Sequence, residues 1–164
     1  MTSKAYLLPE TLIEFKDSGG DAAFTCTSLA AGAGRQSAQY DFGTSARPYI
    51  FSWRAYVKFS TTPVVGEVID VYIKTSDGTY VDNDDGTTDA ALSAEDKLKN
   101  LTRIGFITVD EASTTAPMVA SGVVELPDQY VQVVFFNRTA DALSSTAADC
   151  GFRLKEITVQ GQAT

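Results

Sequence analysis

The sequence of 164 residues contains no histidine. This absence excludes the most common general base, the usual zinc ligand, and the Ser-His and Cys-His arrangements used in nucleophilic catalysis. Cysteine is also scarce: Cys26 and Cys150 stand near opposite ends of the chain, each in an apolar, strand-like context. A bridge between them is geometrically feasible, but so low a cysteine count favours two buried free thiols.

Long hydrophobic runs and clusters of positive charge are missing as well. No window approaches the roughly 18 consecutive apolar residues of a membrane-spanning helix. Thirteen bases stand against 21 acids, for a net charge of −8, and the bases are scattered along the chain. Because nucleic acids bind concentrated positive charge, a nucleic acid is a poor candidate partner. The composition, 44% apolar, predicts one folded domain over residues 1–164.

The feature that the sequence does contain is alternation with period two. In "YIFSWRAYVKF", residues 49–59, the apolar Phe51, Trp53 and Val57 fall on one face, whereas Arg54 and Lys58 fall on the other. This is the pattern of a half-buried strand. Similar segments, separated by turns rich in Gly, Pro, Ser, Thr and Asp, predict about nine short strands and an all-β, antiparallel β-sandwich. The predicted strands are 12–16, 22–27, 37–42, 49–59, 67–74, 103–109, 119–126, 130–137 and 152–159.

One segment has a helical period instead. In "DAALSAEDKLKNL", Ala91, Ala94 and Leu98 share a helical face, and Asp89 or Ser93 is positioned to cap the start. The sequence therefore predicts one short helix near residues 90–100.

The stretch "YVDNDDGTTD", residues 80–89, concentrates acids in front of this helix. If Gly86 is the sixth position of a calcium loop, Asp85 and Asn83 match the fifth and third, but Val81 and Leu92 occupy the first and twelfth. An irregular calcium site remains one hypothesis, and a solvated loop leading into a capped helix is the other. The candidate calcium ligands are Asp82, Asp84 and Asp85.

Other catalytic arrangements find little support. Glu14, Glu67, Asp70 and Glu125 lie on or beside predicted strands, but nothing singles out two of them as the carboxylate pair that glycoside hydrolysis requires. We therefore expect no enzymatic activity, no catalytic residue and no cofactor.

Aromatic residues suggest a different role. The strand "YVQVVFF" is apolar on both faces, so it must be covered twice, once by the opposite sheet and once by something else. A partner subunit is the cover that we expect, since Tyr and Phe are enriched at protein interfaces. The candidate interface residues are Tyr56, Tyr72, Tyr130, Val134 and Phe136.

The segments "GRQSAQYD", "RPYIFSWRAYVKF", "TSDGTYVDNDDGTTDAALSAEDKLKNL" and "ASGVVELPDQYVQVVFFN" resemble small virion proteins of tailed bacteriophages. The resemblance covers roughly residues 22–157. It implies a jelly-roll-like sandwich that decorates or cements the capsid. The implied partners are the major capsid protein and further copies of the chain, with a trimer favoured. The implied location is the capsid surface, after synthesis in the cytoplasm of a bacterial host.

A second class of function stays open at this point. It is a carbohydrate-binding or tail-associated β-sandwich module, which would use exposed tyrosines or Trp53 and calcium at the acidic stretch.

Overall fold

The computed structural model describes residues 5–45 and 49–161, and the side chains of residues 11–45 and 49–158. Two short 3-10 helices, Glu95–Leu98 and Ala147–Asp149, are the helical elements of these residues. Neither of these described helices has the length and apolarity that crossing a membrane requires. The strands are β1 (Ala5–Lys16), β2 (Ala22–Ala23), β3 (Gly34–Gln36), β4 (Tyr40–Asp41), β5 (Ile50–Val57), β6 (Val68–Ser76), β7 (Ala90–Ala91), β8 (Thr102–Thr108), β9 (Met118–Glu125), β10 (Tyr130–Asn137) and β11 (Gly151–Gly161).

The strands form two sheets that pack face to face. Sheet one has the order β2-β1-β11-β5-β9, and sheet two has the order β7-β3-β10-β6-β8, with β4 also paired to β10. When the two-residue strands β2, β4 and β7 are set aside, the remaining eight follow the order 1-8-3-6 in sheet one and 2-7-4-5 in sheet two. This order is that of a jelly roll, in which eight antiparallel strands wrap as two Greek keys. The predicted antiparallel, jelly-roll-like sandwich is confirmed.

Strand β5 shows why the alternation produces this architecture. Phe51, Trp53 and Val57 point between the sheets and are almost completely buried, while Arg54 is exposed on the other face. Trp53 stacks on Phe152 of the adjacent strand β11, with the ring centroids 5.9 Å apart. Hydrophobic burial on a single face thus fixes the orientation of β5, as its period-two pattern predicts.

Strands β6 and β10 are buried on both faces. Their inward side chains, such as Val71 and Phe135, join the core between the sheets. Their outward side chains form a second apolar cluster that Leu98 and Leu101 cover. We call residues 77–101 the cover segment, because this part of the chain lies over the outer face of sheet two. The second layer that the strand pattern required is therefore the chain's own cover segment, and the expectation of a partner subunit in that place is corrected.

Two local predictions are also corrected. The sequence predicts a strand over residues 37–42, but only Tyr40–Asp41 is extended there, and β3 precedes it. Strand β3 does not alternate in hydrophobicity, because its polar Gln36 is buried through hydrogen bonds rather than exposed. The predicted helix is reduced to Glu95–Leu98 without a side-chain cap, since Asp89 and Ser93 form other hydrogen bonds.

Candidate functional site

The acidic stretch within the cover segment folds back over sheet two through its backbone. The side-chain amide of Gln36 donates hydrogen bonds to the carbonyl oxygens of Asp85, Gly86 and Thr88, at 3.0, 3.2 and 3.0 Å. The loop thus presents three carbonyl groups to the side chain of Gln36 in sheet two, while the carboxylate of Asp84 is exposed. These hydrogen bonds satisfy the buried amide of Gln36 and anchor the loop through its backbone.

Beneath this loop lies the ammonium group of Lys74, a residue that is 1% exposed. It donates to the carbonyl oxygen of Gly86 at 2.6 Å and to Oε1 of Gln36 at 3.2 Å. Burial lowers the pKa of Lys74, and the acids at 82, 84 and 85 partly oppose that shift. The ammonium group of Lys74 therefore already lies against a carbonyl oxygen of this loop.

The three candidate calcium ligands do not converge. Asp82 accepts from the backbone of Thr75 at 2.6 Å, Asp84 pairs with Lys97, and Asp85 accepts from the hydroxyl of Ser93 at 2.5 Å. Among the described residues, no three acids or thiols are grouped as metal ligands. The contacts of Asp82, Asp84 and Asp85 thus favour a structural loop, and the calcium site stays a prediction.

Asp89 at the end of the stretch has a separate structural role. It accepts from the hydroxyl and the backbone of Thr25 at 2.5 and 3.0 Å, and from Nε of Arg35 at 2.6 Å. Burial alone would raise the pKa of Asp89, but the hydrogen bonds from Arg35 and Thr25 hold it below its ordinary value. This carboxylate links the cover segment to the loop that follows β2.

The five candidate interface residues are separated by the fold. Val134, Phe136 and Tyr72 lie beneath the cover segment at 0, 4 and 9% exposure, so in this conformation they have almost no surface to offer a partner. Tyr130 is half-buried, and its ring lies against Gly78. Tyr56 alone of the five points to the outer face of sheet one.

The remaining sequence candidates are placed as follows. Trp53, proposed as a sugar-stacking residue, is only 4% exposed and belongs to the core, which corrects that expectation. Asp70 is buried and pairs with Arg103 and Arg138. Glu14 pairs with Lys16 and Arg153, Glu67 accepts from the backbone of Ala140, and Glu125 is exposed on β9. Cys26 and Cys150 are buried free thiols, as predicted.

The outer face of sheet one differs because nothing in the described chain covers it. Its side chains stand in rows that the strand register defines. One row crosses β1, β11, β5 and β9 as Glu14, Arg153, Arg54 and Ser121. The next row is Leu12, Lys155, Ser52 and Val123. Apart from Glu14, these side chains line a shallow depression of about 490 Å³, which we call the sheet-one depression.

Three cationic side chains line this depression. Arg54 and Arg153 are directly opposite each other on neighbouring strands, and Lys155 is two residues further along β11. Arg153 donates to Glu14 at 2.9 Å, and its guanidinium carbon lies 5.5 Å from the ring centroid of Tyr56. Within the described residues, Arg54 and Lys155 form no ion pair. The bases that are scattered in the sequence are thus brought together by strand pairing.

Alternation already predicts that Arg54 points outward, but the clustering has no signal in the local sequence. Arg54 and Arg153 are 99 positions apart and become neighbours only through the β5–β11 register. Long-range pairing of this kind has to be known before the patch can be recognised.

No protein-family model and no curated protein matches the chain. Similar solved structures include a family 35 carbohydrate binding module from an environmental isolate, with 12% identity and a TM-score of 0.45 over 94% of this chain and 99% of that chain. A second is the EclA C-terminal domain, a sugar-binding protein, with 13% identity and a TM-score of 0.30 over 94% of this chain and 82% of that one. At these values the similarities assign no ligand and no residue role to this chain.

Proposed function

We propose that the protein is a non-catalytic carbohydrate-binding module that uses the outer face of sheet one. The observation that carries this proposal is the contrast between the two outer faces: the cover segment lies over β6 and β10 on the outer face of sheet two, while the outer face of sheet one is open and lined with hydrogen-bond donors. The two solved structures described above are named for sugar binding, and the same class of ligand is proposed here from the properties of the face itself.

The sheet-one depression has the properties that a saccharide chain needs. Ser52 and Ser121 offer hydroxyl groups from the adjacent strands β5 and β9, and the cations on β5 and β11 add further donors. Leu12 and Val123, 46 and 64% exposed, supply apolar contacts at the two sides. These side chains stand on regular strands, so their positions are set before a ligand arrives.

The same lining favours binding without chemistry. No carboxylate is among the described residues that line the depression, whereas glycoside hydrolysis ordinarily requires two. Histidine is absent from the whole sequence. We therefore propose a module that holds a polymer without cleaving it.

The test is a screen of oligosaccharides and polysaccharides, followed by chemical-shift mapping on ¹⁵N-labelled protein. Shifts are expected on β5, β9 and β11. Ser121→Trp, which fills the depression, should abolish binding. The control is Thr108→Trp, at an exposed strand position in sheet two. Binding that survives Ser121→Trp, or a screen without any ligand, would contradict the proposal.

A second candidate is the virion role that the bacteriophage resemblance implies, with the major capsid protein and further copies of the chain as partners. One observation favours it. Residues 5–9 pair with residues 157–161 beyond the point where β11 leaves β5, so this part of sheet one is a two-stranded ribbon within the described chain. Ribbons of two strands are marginally stable alone and expose edges that pair readily with another chain.

Sedimentation velocity and removal of the ribbon test this second candidate together. If the ribbon pairs with further copies, the full chain should sediment as a trimer or another oligomer, and a variant lacking residues 1–9 should not. A monomer at micromolar concentration, with no binding to assembled capsid protein, would argue against the virion role.

A further inference from the structure

We infer that the sheet-one depression selects an acidic saccharide, whose carboxylate or sulfate group is held between Arg54 and Arg153. The inference rests on the proposed function, because it names the ligand class of the same face. It goes further in one respect: it makes charge, rather than shape or hydroxyl contacts, the source of selectivity.

The first argument is the placement of like charges. Side chains directly opposite on antiparallel strands have their Cβ atoms about 4.5–5.5 Å apart, and like charges in this position are destabilising. Arg54 and Arg153 are such a pair. An anion between the two guanidinium groups would turn this repulsion into attraction on both sides.

The second argument is that the protein supplies only part of the compensating charge. Glu14 binds Arg153 from the β1 side, on the flank opposite Arg54. On the β9 side, the neighbour of Arg54 in the register is the uncharged Ser121. Among the residues that the structure describes, Arg54 therefore has no ion-pair partner, and its guanidinium donors face the depression, where a ligand can reach them.

The third argument is the charge of the face relative to that of the chain. The described outer face of sheet one carries four cations, Lys16, Arg54, Arg153 and Lys155, and two carboxylates, Glu14 and Glu125, which leaves +2. The whole chain carries −8. A positive surface on an acidic protein attracts anions locally while the rest of the molecule repels them. Charge complementarity thus points to an anionic occupant.

The geometry around Arg153 shows how one side of the anion site is held in place. Its guanidinium group lies over the Tyr56 ring and donates from Nε to Glu14. Both contacts restrict the rotamers of Arg153, so less entropy is lost when an anion binds. Planar guanidinium groups bind carboxylate and sulfate oxygens in pairs, which gives direction as well as attraction.

Three immobilised polymers distinguish the outcomes: polygalacturonate for carboxylate, dextran sulfate for sulfate, and dextran as the neutral reference. We expect retention on at least one acidic polymer and none on dextran. Retention on polygalacturonate alone would assign the site to uronic acids, and retention on dextran sulfate alone would assign it to sulfated sugars.

Arg54→Gln is expected to weaken the binding by about tenfold or more, because it removes a charge-assisted contact. Lys99→Gln is the matched control, since it removes one positive charge from an exposed side chain of the cover segment. The control separates a local site from general electrostatics: equal losses in both variants would overturn the inference. Circular dichroism verifies that both variants fold.

The remaining outcomes separate the inference from the proposed function. Binding to dextran that Arg54→Gln leaves unchanged and Ser121→Trp abolishes would overturn the inference but support a carbohydrate-binding module. Absence of binding to any saccharide in the wider screen would overturn both.

Discussion

The outer faces of the two sheets belong to one chain, yet they differ in exposure to solvent. On sheet two, Tyr72, Val134 and Phe136 are sealed beneath the cover segment. On sheet one, Arg54 and Val123 remain open to solvent. The covered face contributes apolar burial to stability, and the open face retains like charges that stability alone would not favour.

This difference separates residues that hold the fold from residues that are available for binding. Apolar side chains on both faces of a strand indicate a surface that is covered, and the cover comes from the same chain. Charged and hydroxyl side chains on one face indicate a surface that is left free. The free face of sheet one is therefore the one that we propose to bind a ligand.

The largest expected effect comes from placing the same charge on each face. Val134→Asp buries a carboxylate without a partner at a position that is 0% exposed, and we expect a loss of about 3–5 kcal/mol in the free energy of unfolding or failure to fold. Val123→Asp, at 64% exposure, should change it by less than about 0.5 kcal/mol. Urea denaturation measures both. Similar losses in the two variants would mean that the open face is not open in solution.

The next effect concerns the link between the cover segment and the loop after β2. Asp89→Asn removes a charge that accepts three hydrogen bonds, from Thr25 twice and from Arg35. A loss of about 1–3 kcal/mol is expected near neutral pH. Asp84→Asn, whose side chain is 81% exposed, is the control and should leave the unfolding midpoint almost unchanged.

The pH dependence of the Asp89 variant has a defined sign. The folded pKa of Asp89 lies below its ordinary value of 3.8. Its contribution is therefore fully present above the unfolded pKa and is lost as the pH falls through the lowered folded pKa. The difference between wild type and Asp89→Asn should shrink below about pH 4. A difference that stays constant down to about pH 2 would contradict this assignment.

The fold could be predicted from the sequence further than the site could. Apolar and polar residues alternate along β5, and this pattern alone predicts which face of the strand is buried. Two features of sheet two were missed because their polar residues are satisfied within the protein: Gln36 and Lys74 look like surface residues, yet both are buried beneath carbonyl groups. The helix was overestimated because Leu98 and Leu101 pack on sheet two in a short turn.

The candidate site escaped prediction for a different reason. Its cations come from β5 and β11, and only the pairing register sets Arg54 against Arg153. A local pattern describes what one strand does and carries no information about its neighbour. The acidic stretch, by contrast, is conspicuous in the sequence and serves as a structural cover.

A smaller effect is expected from Lys74, the cation beneath that cover. Lys74→Met removes the donor to Oε1 of Gln36 and one of the two donors to the carbonyl oxygen of Gly86. It also removes the cost of burying a charge, so a net loss of about 1 kcal/mol is expected near neutral pH.

The Lys74 variant should also reveal the lowered pKa. Because the folded pKa lies below the ordinary 10.5, the unfolded chain binds more protons between these two values, and stability rises with pH in that window. The stability advantage of wild type over Lys74→Met should therefore grow as the pH rises toward about 10. An advantage that shrinks as the pH rises would contradict the lowered pKa of Lys74.

The smallest effect tests the open face itself. Arg54→Gln removes one of two like charges that face each other across β5 and β11, so it should leave the protein as stable as wild type or stabilise it by about 0.2–1 kcal/mol. Arg153→Gln should not do so, because it also deprives Glu14 of a partner. The gain should diminish with added salt, which screens exposed charges. Unfolding midpoints at low and high ionic strength measure the two variants side by side.

A loss of stability in Arg54→Gln at low salt would mean that this arginine supports the fold. A gain would mean that the open face keeps a repulsive pair at a cost to stability, as expected of a site that binds an anion.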